Sequence, residues 1–324
     1  MKKIYLMLLL VCSSIFAFAD GLTATLQHGD SLTVYYNNTA LQQAYAAAAK
    51  GDVITLSSGQ FKSVTSVEKS IRIIGAYGLD ADDSYGTFIS EELTIGADNV
   101  KLEGMYFQSN VIIGEVSNCT IRRCYLSNMW KPIDNNTKHT NTLIDQCVIM
   151  YDYAIATGVN YCIKNSTINS FSAVNTDTNV ANITNCYIQY TDTDIKAIYK
   201  NNVLRFNTTN NDISRTFEAP NELYYNYIYR TNSKNYSYTT SIYYGTGCVN
   251  VQNKISVLSS NSTYHYPDTT SFKTKGEDGT PVGMTGGEGF SKYPGIPRVL
   301  TSTIDAQTDD KGKLNATITV QAEK

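Results

Sequence analysis

Three carboxylates and three cations in the middle of the chain are the residues whose types and spacing suit chemistry on a polymer. Asp152 lies five residues after Cys147, and Asp192 and Asp194 lie six and eight after Cys186. Lys131 lies seven after Cys124 and Arg215 eight after Asn207, with Lys196 close to the second acidic pair. If the four anchors occupy one place in successive turns of a coil, these side chains project from one side over several turns. Carboxylates two turns apart then stand about 9 to 10 Å apart, near the separation that suits an inverting glycosidase pair. A neighbouring Lys or Arg suits the base of a lyase. Tyr151, Tyr153 and Tyr190, together with Lys131, are candidate glycan contacts, because an aromatic face with a polar tip stacks on sugar rings. The bland alternative is the ordinary solvated face of a soluble protein, rich in Asp, Lys, Tyr and Thr.

The anchors belong to an internal repeat: an aliphatic residue, two variable ones, a Cys, Asn or Ser, one variable residue, and a second aliphatic. Ile121-Arg-Arg-Cys124-Tyr-Leu126 shows it in full, followed by Ile144–Ile149 around Cys147, Ile163–Ile168 around Ser166 and Ile183–Ile188 around Cys186. Leu223–Ile228 around Asn226 is a further copy, Leu204-Arg-Phe-Asn207 a degraded one, and Leu102–Phe107 places Met105 in the slot. The slot spacings are 19, 23, 19, 20, 21 and 19 residues. A period near 20 that tolerates small insertions is a solenoid signature, and the chain is too poor in Leu for a leucine-rich repeat. The pattern predicts an all-β, right-handed parallel β-helix. Aliphatics stack inside it at strand spacing, and the small polar slot sits where the chain turns and bonds the backbone of the adjacent turn.

The cysteines fit this reading. Of the seven, six follow the leader, and Cys124, Cys147 and Cys186 share the slot. They are expected to be buried free thiols; the alternative, one or two bridges in an oxidising compartment, points to Cys119 or Cys162. No Cys-x-x-Cys pair with His suggests zinc. Calcium is a weaker candidate at Asp80-Ala-Asp82-Asp83-Ser84, whose clustered oxygens lack a full loop pattern. Otherwise no cofactor is expected.

A coil needs both ends covered. Thr39-x-x-Gln42 reads as a capping box opening a helix over Ala40–Lys50 with Gly51 as its stop. At the other end, Glu277–Gly289 reads as a Gly-rich irregular segment, with Gly283–Gly289 as a backbone crossing at the cap. Thr303–Thr308 and Lys313–Val320 then read as a hairpin joined by Asp309–Gly312. The division expected is a signal peptide over 1–19, a capped β-helix over 20–275 and a C-terminal cap over 276–324.

Export is written in the first residues. Lys2 and Lys3, the apolar run Ile4–Val11 and Ala17-Phe-Ala19 match a signal peptide with cleavage before Asp20. The run is too short to span a bilayer. Cys12 offers a lipid-anchored alternative, although Val11 is bulky for the residue preceding a lipidated cysteine. The expected location is extracellular, cell-surface or periplasmic in a Gram-negative bacterium. A net charge of −3 leaves no basic face for nucleic acid, and no polybasic membrane patch.

Leu41–Gly75, with Gly51-Asp-Val-Ile-Thr-Leu56, Gly59-Gln-Phe61 and Ile71-Arg-Ile-Ile-Gly75, resembles the N-terminal part of pectin-lyase-like β-helix proteins, and the repeats from Val100 to Ile228 extend the resemblance. Gly279–Gly287 through Leu314 resembles the ending of secreted β-helix proteins of Bacteroidetes. The superfamily contains lyases, hydrolases, esterases and non-enzymes, so the fold does not select an activity. The polygalacturonase pattern is matched only by Asn175-Thr-Asp177. No Asp-Asp coil and no Gly-His-Gly follow; His139 and His265 stand in other contexts. The calcium-and-base set of pectate lyases and the Gln-Asp-x-Leu of pectin esterases are absent. Three readings follow: a non-catalytic β-helix binding glycan or a partner along its face, a polysaccharide lyase or glycosidase with a non-standard site, and a structural or adhesive surface protein. Oligomeric state is open, and neither nucleic acid nor a membrane span is expected. The tyrosine run Tyr224–Tyr244 reads as half-buried strand more than as a binding platform.

Overall fold

The computed structural model describes residues 21–76, 79, 86–130, 138–171, 181–190, 197–207, 222–231, 248–251, 275–291, 298–304 and 316–321. The helix formed by Ala40–Ala47 lies near the N-terminus, and most of the described strands build a parallel β-solenoid. Two long sheets run along it, of 11 and 12 strands, and successive turns place their strands side by side. A short third sheet pairs His139–Thr140 with Gly158–Val159.

The register explains the repeat. In the first sheet Ile54, Ile73, Leu102, Ile121, Ile144, Ile163 and Ile183 stack in one column. In the second, Phe107, Leu126, Ile149, Ile168, Ile188 and Leu204 form another. All are buried. Each side chain packs on its equivalents above and below, and its removal from water is worth about 1.5 to 3 kcal/mol.

The corner between the two sheets is built by two consecutive residues. The first adopts a left-handed conformation: Gly104, Arg123, Gln146, Asn165, Asn185, Asn201 and Tyr225 all have positive φ. This reverses the chain sharply enough to leave one sheet and start the next. The second is the slot residue, which points inward. Cys147 Sγ accepts from the Cys124 backbone N–H, Ser166 Oγ from Cys147, Asn202 Oδ1 from Cys186, Asn226 Oδ1 from Asn202, and Cys248 Sγ from Asn226. Asn202 Nδ2 also donates to Asn226 Oδ1 at 3.1 Å. The predicted bonding of the slot to the adjacent turn is therefore present. Cys119, Cys124, Cys147, Cys162, Cys186 and Cys248 are thiols, not disulfides.

Two local expectations are corrected, and one further element is found. The slot of the degraded repeat is Asn202, not Asn207, because Leu204 pairs with Ile188 and Ile228 as the second-sheet aliphatic. The predicted capping box does not form. Thr39 makes no side-chain cap bond; Gln42 donates instead to the Ser63 carbonyl, and Lys69 Nζ closes the other end by donating to the carbonyls of Tyr45, Ala46 and Ala48. Finally, the chain before the helix forms an antiparallel hairpin, Thr23–His28 with Ser31–Tyr36, whose first strand pairs antiparallel with Val53–Leu56.

The Gly-rich C-terminal segment also departs from expectation. Between 276 and 290 it runs along the side of the tube, against the left-handed corner, as a strap. Asn201 holds its start, accepting from the Glu277 N–H and, through its own carbonyl, from Gly283 N–H. Asn165 Nδ2 donates to the carbonyls of Met284 and Gly286, and Gln146 Nε2 to that of Gly289. Lys164 pairs with Glu288 at 2.7 Å, and Lys200 with Glu277. The strap covers an apolar stripe on the outside of the second sheet. Val282 and Met284 are buried, and Phe290 joins Leu79, Tyr125 and Val148 in a small cluster. After it, Arg298–Ile304 and Ala316–Gln321 form an antiparallel hairpin, its first strand starting earlier than predicted.

Candidate functional site

The second sheet carries an aromatic platform on its outer face, just beyond the strap. Asn128 pairs with Tyr151, and Tyr151 with Ser170, in adjacent turns. Two residues further along the chain, Trp130 at the end of its strand and Tyr153 just past the end of the next have ring centroids 4.2 Å apart at an interplanar angle of 50°. Trp130 is 36% exposed and Tyr151 42%. Tyr190 continues the Asn128–Tyr151–Ser170 row. Asn110, paired with Asn128, is held by Glu92 at 2.9 Å. Adjacent turns lie about 4.8 Å apart and alternate residues about 6.8 Å apart, so the platform matches the footprint of one or two sugar rings.

Asp152 does not face solvent with its neighbours. It is fully buried, because Met150 and Tyr151 both turn outward: Met150 packs beside the Phe290 cluster and Tyr151 is exposed. This break in alternation sends the next residue inside. There Asp152 Oδ1 accepts from the N–H groups of Ala154 and Ile155 at 2.9 and 3.1 Å, and Oδ2 from the Tyr161 hydroxyl at 2.9 Å. Burial pushes its carboxyl up to about 6, against the lowering pull of these three donors. The Tyr161 ring meets His139 edge-on. His139 Nε2 donates to the Ala154 carbonyl at 3.0 Å, and Nδ1 lies 2.9 Å from Thr142 Oγ1. Burial depresses the His139 pKa, so the ring is neutral and its Nδ1 accepts from Thr142. The group shapes the turn Ala154–Thr157 from inside; it has no face toward a substrate.

Asp192, Asp194, Lys196, Arg215 and Lys131 lie outside the described residues, as do Asp80, Asp82 and Asp83. Among the described residues no three His, Cys, Asp or Glu side chains converge as a metal site. The slot thiols are inert: burial pushes Cys124 up to about 12, and raises Cys147 and Cys186 strongly, whereas reactive thiols are exposed and depressed. A cleft of about 480 Å³ opens near the N-terminal helix, lined by Asn37, Asn38, Gln60, Lys62, Ser90 and Glu91 among others, and its polar side chains Gln60, Lys62 and Glu91 are exposed.

Sequence reasoning selected Tyr151 and Tyr153 but missed Trp130, the single tryptophan. The signal was available: Trp130 and Tyr153 both stand six residues after their slot residues, Cys124 and Cys147.

These features define a parallel β-helix protein with an exposed aromatic platform. No family model, no curated protein and no solved structure matches the chain, and no described helix is long and apolar enough to cross a membrane.

Proposed function

We propose that this is an exported, non-catalytic β-helix protein of the pectin-lyase-like kind that binds carbohydrate on the outer face of its second sheet. The observation that carries the reading is the Trp130–Tyr153 pair, with Tyr151 beside it and Asn128 within the same patch. Exposed aromatics on a rigid sheet lose little entropy on binding. Their faces suit the apolar side of a sugar ring, and the neighbouring amides suit its hydroxyls. The burial of Asp152 weighs against the lyase or glycosidase alternative in its original form, since that carboxylate is committed to the fold. The test uses the single tryptophan as reporter. Glycans that bind the platform shift Trp130 emission and produce no unsaturated or reducing-end product. Turnover that vanishes in Asp194→Ala or Lys196→Ala would replace this reading with an enzymatic one.

A further inference from the structure

The N-terminal hairpin ends the first sheet on an unguarded edge. Among the described residues Ser31–Tyr36 is the terminal strand of that sheet, so no described strand lies beside one row of its backbone N–H and C=O groups. Edge strands of soluble proteins are normally protected by a charge, a proline, a bulge or shortness. The Ala40–Ala47 helix packs against both strands of the hairpin, but the strand itself carries none of these features. Its sequence, Ser-Leu-Thr-Val-Tyr-Tyr, is uncharged and free of proline, and it pairs with Thr23–His28 over six residues without a shift. Its outer face is an apolar stripe: Leu32, Val34 and Tyr36 are 68%, 43% and 56% exposed. Thr33 and Tyr35 take the other face, where Tyr35 packs on the core.

We infer that this edge is the interface for a second copy of the chain, paired antiparallel about a two-fold axis through Val34. The pattern is self-complementary. The register that keeps the apolar face continuous sets Leu32 against Tyr36 of the second copy and Val34 against Val34. Each is a favourable cross-strand pair. Asp30 is the only acidic or basic residue from Ser31's preceding turn to Asn38, and in this register it meets Asn38, a hydrogen-bond donor, so no like charges face each other. A two-fold pairing of one patch with itself is the usual form of a homodimer. The three side chains leave roughly 300 to 400 Å² of apolar surface per copy, the size of a functional patch on a monomer. Two copies together stay below about 1,200 Å², which places the dimer among the weak, concentration-dependent ones. The two solenoids then meet N-terminal end to N-terminal end, with their first sheets continuous. This inference is independent of the carbohydrate reading.

The experiment is sedimentation velocity of the purified chain from low to high micromolar concentration, with three variants. The wild type should move from monomer to dimer. Val34→Lys, which sets two ammonium groups against each other at the axis, should remain monomeric with unchanged circular dichroism. Val34→Cys should form a disulfide-linked dimer under mild oxidation while Leu32→Cys does not, because only residue 34 faces itself. A wild type that stays monomeric throughout, a Val34→Lys variant that still dimerises, or equal cross-linking of both cysteine variants would overturn the inference.

Discussion

The Tyr161 hydroxyl donates to Asp152 Oδ2 at 2.9 Å inside the coil, and the other carboxylate oxygen holds the N–H groups that open the Ala154–Thr157 turn. Three donors for one buried carboxylate describe a structural cap. They hold the carboxylate in place without abolishing the cost of its charge, and burial is the larger effect.

That balance gives a pH signature. The folded-state value of about 6 lies above the ordinary 3.8. Asp152 therefore contributes stability that is fully present below the unfolded value and is lost as pH rises through about 6. The span is worth on the order of 3 kcal/mol. His139 acts in the opposite sense. Its depressed pKa gives stability that is present above the unfolded value and lost as pH falls through the folded one. Asp152→Asn keeps an acceptor for the two N–H groups and can donate to Tyr161. Denaturant melts from pH 4 to 8 should show the variant matching or exceeding the wild type at pH 8 and lacking the acid-side gain. A variant with the wild-type profile would mean that Asp152 is not the titrating group.

The slot ladder gives a second prediction. Asn202 is fully buried. Its Oδ1 accepts from Cys186 N–H at 2.7 Å, and its Nδ2 donates to the Ile183 carbonyl at 2.8 Å. Asn202→Ala strands both backbone groups and should cost about 2 to 4 kcal/mol in urea unfolding. Ser166→Cys places in one turn the residue that neighbouring turns already use, and should cost less than about 1 kcal/mol.

These slots were legible because they recur: stacking repeats one local environment, so one sequence pattern reports it many times. The left-handed residue before each slot was not legible by type, since Arg123, Gln146 and Tyr225 share the conformation with the asparagines. The corner imposes it on whatever residue stands there. The strap was invisible for a different reason. Gly289 meets Gln146 across 143 residues, and an aperiodic Gly-rich segment carries no mark of where it docks. Asp152 sits inside because Met150 and Tyr151 both turn outward; an offset from the slot does not show such a one-residue irregularity, which reverses every side chain beyond it. The platform was half legible: Tyr151 and Tyr153 were visible as aromatics, but Trp130 required counting from its own slot.

The strap should be separable from the coil. Asn165 holds it with two side-chain bonds, at 3.2 and 2.6 Å. Asn165→Gly keeps the left-handed corner at little backbone cost and removes only the clamp. Gly287→Ala adds a methyl at φ +58 that meets Asn185 Nδ2 at 2.2 Å. Both variants should raise amide exchange and protease cleavage within 276–290 while exchange in the 143–145 and 162–164 strands stays slow. Loss of protection in those strands as well would show that strap and coil unfold as one unit.

The platform gives the prediction closest to function. Trp130 is more than one-third exposed and its ring contacts that of Tyr153, so Trp130→Ala should leave the melting temperature within a few degrees. The same change removes the largest stacking face. If sugars bind here, affinity should fall roughly tenfold or more, as for loss of an aromatic contact worth about 1 to 2 kcal/mol. Tyr151→Ala should weaken binding by a similar factor, because Tyr151 is 42% exposed and pairs with Asn128 in the adjacent turn. Tyr151→Phe, which keeps the ring and deletes the hydroxyl, separates stacking from hydrogen bonding. Retained affinity assigns Tyr151 to stacking. Calorimetric titration reads all three variants. Unchanged affinity in Trp130→Ala would place any carbohydrate site elsewhere on the coil.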